Sequence, residues 1–179
     1  MNEATLVLAV IILAIIGVLV FAASKPDVFR LQRSIAIDAM PERIFPLIND
    51  LRAHESWNPF DRPDPDTRRI HTGAAQGVGA VYAWNGKGQA GTGRLCIVKS
   101  DPSSRIRMRL EMLKPFKASN QVIFTLMPEG GATHLTWSMQ GPMPYPAKVM
   151  HTLFNMERMV GKQFEAGLAS LKGIAERYR

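Results

Sequence analysis

Residues 147–178, AKVMHTLFNMERMVGKQFEAGLASLKGIAERY, contain no proline and repeat apolar side chains at helical spacing. The pattern predicts one long amphipathic helix at the end of the chain. Its apolar stripe is formed by Val149, Met150, Leu153, Phe154, Val160, Phe164, Leu168, Leu171 and Ala175. Because such a stripe has to be buried against another element, the fold depends on what the rest of the chain offers.

The chain before this helix offers strands with one apolar face. Residues 105–112, RIRMRLEM, place apolar side chains on one side and mostly charged side chains on the other, which is the period of a half-buried strand. Residues 29–38 alternate in the same way. Asn85-Gly86 is a hairpin signal, residues 61–69 have the composition of a loop, and Pro115 marks a further turn.

Two short helices interrupt this series of strands after the first one. They are predicted at residues 40–51, where Pro41 suits the first helical turn, and at residues 53–60. The order is therefore strand, two short helices, about six strands and one long helix. We predict an α+β fold, in which a curved antiparallel sheet of about seven strands surrounds the carboxy-terminal helix.

The chain begins with an apolar run, LVLAVIILAIIGVLVFAA, over residues 6–23. Its length is close to the minimum for a helix that spans a hydrocarbon core of about 30 Å. A buried core helix should show a polar face, and this run shows none. A cleaved signal peptide is the other alternative, because residues 20–22 resemble a cleavage site although the start lacks basic residues. We expect a transmembrane anchor over residues 1–24, a linker over 25–28 and a soluble domain over 29–179.

The charges beside the apolar run predict its orientation. Lys25, Arg30 and Arg33 follow the run, whereas Glu3 precedes it. Since basic residues stay on the cytoplasmic side of a membrane span, we expect a single-pass protein with a cytoplasmic domain. The whole chain has a formal net charge of +7, and removing Glu3 leaves the remainder at +8, so the domain would be drawn to an anionic lipid surface. The basic residues are scattered and lack an aromatic platform, so no nucleic-acid partner is expected.

Metal and cofactor sites are not predicted. Cys96 is the one cysteine of the chain, which excludes an intramolecular disulfide and argues against a thiolate metal site. The four histidines have no partner at metal-ligand spacing, and the chain contains no phosphate-binding or dinucleotide-binding fingerprint.

Several stretches, in this order of elements, resemble the START/Bet v 1-like (SRPBCC) superfamily and its polyketide cyclase/dehydrase-type branch. They are residues 37–60, IDAMPERIFPLINDLRAHESWNPF; 110–118, LEMLKPFKA; 133–141, THLTWSMQG; and 164–172, FEAGLASLK. The resemblance covers residues 29 to about 177. It implies a helix-grip fold with a mostly apolar cavity for a lipid or another hydrophobic molecule. Some members of the superfamily are cyclases, aromatases or hydrolases. No catalytic residue is universal, so none is transferred to this chain.

Glu157 is the carboxylate that helical spacing places among apolar residues. At about 100° per residue it falls at the centre of the stripe formed by the predicted long helix, so we expect it in or beside the cavity. There it would hold a ligand hydroxyl or amine, or act as an acid with a raised pKa. Pairing with an arginine, or a position at the cavity mouth, is the alternative. His151, on the flank of the same helix, is the second candidate acid or base.

Aromatic and methionine side chains supply the remaining candidate ligand contacts. Tyr82 and Trp84 share a strand face, Trp137 lies on the apolar face of the last strand, and Trp57 would either line the cavity or pack the short helices onto the sheet. The predicted ligand-binding residues are Trp57, Tyr82, Trp84, Met108, Met112, Trp137, Met150, Phe154 and Glu157.

Three functions fit these observations. The favoured one is a membrane-tethered, non-catalytic domain that binds a lipid or another hydrophobic small molecule from the adjacent bilayer. The first alternative is a cofactor-independent cyclase or hydrolase that uses a cavity carboxylate, which requires at least two converging titratable groups. The second alternative is an interaction domain whose own side chains fill the cavity. The ten methionines suit the binding domain and the filled cavity, because methionine adapts to irregular apolar shapes.

Overall fold

A computed structural model of the chain describes residues 2–61, 66–86, 91–114, 117–154 and 156–177. Its helices are α1 (Glu3–Ala23), α2 (Pro41–Asn49), α3 (Tyr145–Phe154) and α4 (Met156–Glu176). Its strands are β1 (Val28–Ile37), β2 (Arg68–Gly73), β3 (Ala80–Asn85), β4 (Thr92–Asp101), β5 (Arg105–Lys114), β6 (Ala118–Glu129) and β7 (Ala132–Pro142). Two 3₁₀ turns, Ala53–Ser56 and Pro59–Asp61, follow α2. The turn predicted at Pro115 and residues 62–65 of the predicted loop lie outside the described residues.

The strands form one antiparallel sheet in the order β1-β7-β6-β5-β4-β3-β2. Neighbours along the chain pair from β2 to β7, and β1 joins the sheet by pairing with β7 over its whole length. The register of β4 against β5 shifts at two places, and irregularities of this kind bend a strand. The sheet packs around α4, which contacts β1. The predicted α+β helix-grip architecture is confirmed.

The alternation of β5 accounts for the single buried face of the sheet. Ile106 and Met108 are fully buried, whereas Arg105 and Arg109 on the other face are exposed. The α4 residues that join the same core are Phe164, Leu168, Leu171 and Ala175. Burial of one such apolar side chain contributes about 1.5–3 kcal/mol, so this contact between helix and sheet is the main source of stability.

The described residues of the carboxy-terminal segment are helical, as predicted, in α3 and in α4, and Asn155 between them lies outside the described residues. The apolar stripe is buried along only part of its length: Phe164 is buried in the core, whereas Leu153 and Phe154 are 57% and 62% exposed. The physical reason is that α3 packs against α1, whereas α4 packs against β1.

Helix α1 is the described helix that is long and apolar enough to cross a membrane, and a signal sequence would share its length and composition. Its carboxyl end is attached to the domain. Ala22 is fully buried, and the Tyr145 hydroxyl on α3 donates a 3.0 Å hydrogen bond to the Leu19 carbonyl. The apolar helix therefore ends in contact with α3.

Candidate ligand cavity

A cavity of about 850 Å³ lies between the sheet and α4. This volume falls within the range of about 300–1,000 Å³ found for small-molecule pockets. Most of its lining is apolar and includes several methionines, whose flexible side chains fit irregular ligands. The apolar lining residues are Pro26, Val28, Phe29, Leu31, Phe60, Trp84, Leu95, Met108, Leu110, Met112, Val122, Phe124, Trp137, Met139, Met143, Val160 and Phe164.

The structure brings most of the predicted contact residues to this cavity. Those that line it are Tyr82, Trp84, Met108, Met112, Trp137 and Glu157, together with the second acid–base candidate, His151. The strand residues among them lie on the buried face of the sheet. Because side chains alternate between the two faces along a strand, the sequence pattern was sufficient to predict this position.

Three of the predicted contact residues do not line the cavity. Trp57 is buried behind its wall, where the indole N–H donates to the Leu47 carbonyl at 2.9 Å and the ring packs against Trp137. It thus packs the short helices onto the sheet. Met150 and Phe154 are 40% and 62% exposed, because α3 follows α1 rather than the apolar face of the sheet.

Glu157 lines the cavity, but it is exposed rather than buried among apolar residues. An arginine pair is found elsewhere on α4: Arg33 lies against Gly161, which leaves room for its guanidinium, and pairs with Glu165 at 2.7 Å. The exposure of Glu157 fits the alternative of a position at the cavity mouth.

Glu157 belongs to an anchor-side cluster, which we define as Lys25, His151 and Glu157. All of its members line the cavity, and Lys25 comes two residues after α1. Partial burial, and then the positive charge of Lys25, lower the pKa of His151, while Glu157 acts in the opposite direction. His151 therefore stays largely neutral at neutral pH.

A second polar group was not predicted from the sequence. We define the buried polar cluster as His54, Asn58, Asp61 and Tyr82, all of which line the cavity and are at most 9% exposed. His54 and Asp61 belong to the two 3₁₀ turns, Asn58 lies between these turns, and Tyr82 belongs to β3. The stretch HESWNPFD carried three of them at positions 54–61, but their convergence depends on how the turns fold back over β3.

Hydrogen bonds organise the buried polar cluster around Asp61. The Asn58 side-chain amide donates to the Asp61 carboxylate at 2.8 Å, and the Tyr82 hydroxyl forms a further hydrogen bond with that carboxylate. Arg69, on the neighbouring strand, interacts with Tyr82 and with Asp61. The Nδ1 atom of His54 lies 3.9 Å from Asp61 Oδ2, too far for a hydrogen bond.

Burial shifts the pKa of each titratable member of this cluster. It raises the pKa of Asp61 to about 6, although the hydrogen bonds from Tyr82 and Asn58 oppose the shift. It lowers the pKa of His54 to about 4 and raises the pKa of Tyr82 to about 12. At neutral pH His54 and Tyr82 are uncharged, and Asp61 lies close to its own titration range.

Three buried polar atoms of the cavity wall have no hydrogen-bond partner among the described residues: His54 Nδ1, Asn120 Oδ1 and Trp137 Nε1. Two are acceptors and one is a donor. Such atoms are costly to leave unpaired in an apolar wall, and a ligand with few polar groups can satisfy them.

A curved antiparallel sheet that holds a helix across a cavity defines a Bet v 1-like, helix-grip protein. The chain belongs to the family described as polyketide cyclase/dehydrase and lipid transport, whose sequence profile matches residues 28–176. It is thus a hydrophobic ligand-binding domain of that family, preceded by an apolar helix. No curated protein gives a significant match.

Solved structures share this fold at low sequence identity. Protein MLL2253 from Mesorhizobium loti is 15% identical, with a TM-score of 0.63 over 84% of this chain and 99% of the other. The Aha1 dimer from Colwellia psychrerythraea is 16% identical, with a TM-score of 0.59 over 83% and 97%. Ara h 8.0201 is 11% identical, with a TM-score of 0.55 over 83% and 97%. At these identities the likeness concerns the fold alone.

Proposed function

We propose that the chain is a membrane-tethered domain that takes a lipid or another hydrophobic small molecule from the adjacent bilayer into its cavity. The observation that carries the proposal is the position of Lys25 and Pro26. These residues follow α1 directly and also line the cavity, so the cavity begins where the apolar helix ends.

The attachment of α1 to the domain supports this arrangement. Asp27, in the linker, pairs with the buried Lys148 of α3 at 2.7 Å, and its carbonyl accepts a hydrogen bond from the Met143 amide. The hydrogen bond from Lys148 lowers the pKa of Asp27, so this carboxyl group is ionised at neutral pH. Together with the bond from Tyr145 to Leu19, these contacts hold the domain at a defined angle to α1.

The surface of α3 supports a position at the bilayer. Met150, Leu153 and Phe154 are exposed on a helix that already packs on α1. If α1 spans the membrane, this apolar surface lies at the boundary of the head groups, where such side chains are stable. The basic residues after α1 support a cytoplasmic domain beside anionic lipid, as expected from Lys25, Arg30 and Arg33.

Intact mass spectrometry of the membrane-extracted protein tests the tether. A membrane anchor leaves the mass of residues 1–179 intact, whereas a cleaved signal sequence removes the residues of α1.

Chemical labelling at position 129, at the end of β6, tests the orientation of the domain. A cysteine introduced by Glu129→Cys should react with a membrane-impermeant reagent from the cytoplasmic side only. Labelling from the opposite side would contradict the proposal.

Native mass spectrometry of the full chain, released from detergent micelles, tests the cavity. We expect a bound mass that organic extraction identifies as a hydrophobic molecule. Met139→Trp should displace it, because Met139 lines the cavity. Met127→Trp is the matched control, since Met127 is 60% exposed on the adjacent strand. Equal binding by both variants, or no binding by the unaltered chain together with a lack of uptake of a fluorescent fatty alcohol, would contradict the proposal.

The buried polar cluster favours a cofactor-independent cyclase or hydrolase as a second candidate. Such an enzyme needs at least two converging titratable groups, and His54 and Asp61 supply them in the cavity wall. The test is whether the bound molecule, once identified, is converted on incubation and whether Asp61→Asn abolishes the conversion. Recovery of the unchanged molecule would leave the binding function alone.

A further inference from the structure

We propose that His54 and Asp61 bind a neutral hydroxyl group, an alcohol, phenol or enol, at the polar end of the hydrophobic molecule in the cavity. The inference rests on the proposed function, because it states which chemical group of the cavity ligand is recognised and where. The atoms concerned are Nδ1 of His54 and Oδ2 of Asp61, which lie 3.9 Å apart, and both residues line the cavity.

The first step is the protonation of the His54 ring. Its Nε2 atom lies 2.8 Å from the Ile48 carbonyl oxygen, which can only accept a hydrogen bond. Nε2 therefore carries a proton. Because the side chain is 2% exposed, the neutral ring is favoured, and a neutral ring with its proton on Nε2 leaves Nδ1 as an acceptor.

The second step is the lack of a partner for this acceptor. His54 Nδ1 is buried and accepts no hydrogen bond from any described residue. Asp61 is too distant to serve, even when it is protonated. An unpaired buried acceptor destabilises the wall around it, so a ligand donor that reaches Nδ1 gains affinity by removing this cost.

The third step is the geometry between the two side chains. A single oxygen atom placed about 2.8 Å from each can bridge a gap of this size. A hydroxyl is suited to that place because it both donates and accepts. It donates to Nδ1 or to the ionised Asp61, and it accepts from Asp61 when that group is protonated.

The charges around the site exclude other polar groups. A carboxylate would be repelled by Asp61 and would find no proton on His54 Nδ1. A cation would meet the positive charge of Arg69, which already interacts with Asp61. An ether or ester can only accept, so it leaves Nδ1 unpaired. The neutral donor is the class that remains, and sites built to bond a hydroxyl discriminate strongly against analogues without one.

The experiment compares 1-dodecanol, its methyl ether and dodecanoate, which share one alkyl chain and differ in the polar end. Each competes with a fluorescent fatty alcohol for the full chain in detergent micelles, and each is corrected for its partition into the micelles. We expect the alcohol to bind the unaltered protein about tenfold more tightly than the ether, the difference expected for one hydrogen bond to a buried acceptor. Dodecanoate should bind no better than the ether.

Two variants assign the preference to the cluster. In His54→Gln the Ile48 bond can persist while the ring acceptor is lost, and Asp61→Asn keeps the shape and removes the charge. His54→Gln should reduce the preference for alcohol over ether to about twofold or less, whereas Asp61→Asn, which leaves His54 Nδ1 in place and can donate from its amide, should keep most of the preference. Glu55→Gln is the matched control, because Glu55 is exposed in the same 3₁₀ turn and lies outside the cavity lining. Binding of the ether by each variant shows that its cavity is still formed.

The outcomes separate the two proposals. Equal affinity for alcohol and ether in the unaltered protein would overturn hydroxyl recognition and leave the binding function standing. A preference that survives in His54→Gln, or tighter binding of dodecanoate, would overturn it as well. If none of the three probes binds, the proposed binding function fails together with it. The comparison among probes uses the unaltered protein and does not depend on whether a variant folds.

Discussion

Asp61 and Glu157 both present a carboxyl group to the cavity, and their surroundings differ. Asp61 is 6% exposed and is held by Asn58 and Tyr82, whereas Glu157 is exposed on α4. Residue Phe164, which faces the region of the 3₁₀ turns, is seven positions after Glu157, or about 10 Å along the helix axis. The comparison shows that a carboxylate such as Glu157 can lie on the apolar stripe of a helix and remain exposed. A carboxylate in a short turn, such as Asp61, can be buried.

The largest expected effect concerns the packing that holds the buried polar cluster. Trp57→Ala removes a buried ring and its hydrogen bond to Leu47, so the free energy of unfolding should fall by about 3–5 kcal/mol. Phe154→Ala, on the exposed surface of α3, should change it by less than about 0.5 kcal/mol. Urea unfolding of the full chain in micelles, followed by circular dichroism, measures both. Equal losses would mean that the buried Trp57 contributes no more to folding than the exposed Phe154.

The next expected effect is a pH dependence of the free energy of unfolding that is due to His54. Its folded-state pKa of about 4 lies below the usual value of 6.5, so the unfolded chain takes up a proton first as the pH falls. The resulting stability is fully present above pH 6.5 and is lost between about pH 6.5 and 4, by about 3 kcal/mol at most. In His54→Gln this part of the pH dependence should disappear. Unfolding midpoints recorded from pH 7.5 to 4 measure it, and an unchanged slope would refute the assignment to His54.

Asp61 should act with the opposite sign and a similar magnitude. Its folded-state pKa of about 6 lies above the usual 3.8, so its ionisation costs folding free energy as the pH rises from about 4 to 6. Asp61→Asn should therefore be more stable than the unaltered chain at pH 7, by about 3 kcal/mol at most, and show no such gain at pH 4. The same unfolding series provides the measurement. A variant that is less stable at pH 7 would show that the carboxylate itself holds the cluster together.

The smallest effect is expected at the anchor side. Glu157→Gln replaces an exposed, solvated carboxylate, so the affinity for a fluorescent fatty alcohol should fall by less than about threefold and the free energy of unfolding should change by less than about 0.5 kcal/mol. The competition assay and urea unfolding measure these quantities. A tenfold loss of affinity would restore Glu157 as the polar anchor of the ligand and would reverse the comparison with Asp61.

Local periodicity was enough to predict much of the architecture. The period of two in β5 predicted that Met108 and Met112 face the cavity, and the same argument placed Tyr82, Trp84 and Trp137 there. It succeeded because successive residues of a strand point to opposite faces whatever the neighbouring strand is. Helix α1 could be predicted equally directly from its apolar run, since the length of the run and its lack of charge are local properties of the sequence.

The same reasoning did not find the surroundings of Met150 and Phe154, because it assumed a single packing surface for residues 147–178. An apolar stripe stays buried only while its helix packs on one surface, and α3 packs on α1 while α4 packs on the sheet. For Trp57 the sequence left two roles open. Its sequence position allowed either a cavity contact or a packing contact, and the hydrogen bond to Leu47 decides in favour of packing.

By itself the sequence determined the fold class, the apolar helix before the domain and the sheet face that lines the cavity, because each follows from the period of side chains along one element. Only the tertiary structure decided which polar groups meet. His54, Asn58 and Asp61 lie in irregular turns without a period, and Tyr82 joins them from a strand more than twenty residues away along the chain. Their shared burial, and with it the shift of their pKa values, exists only once the turns fold back over β3.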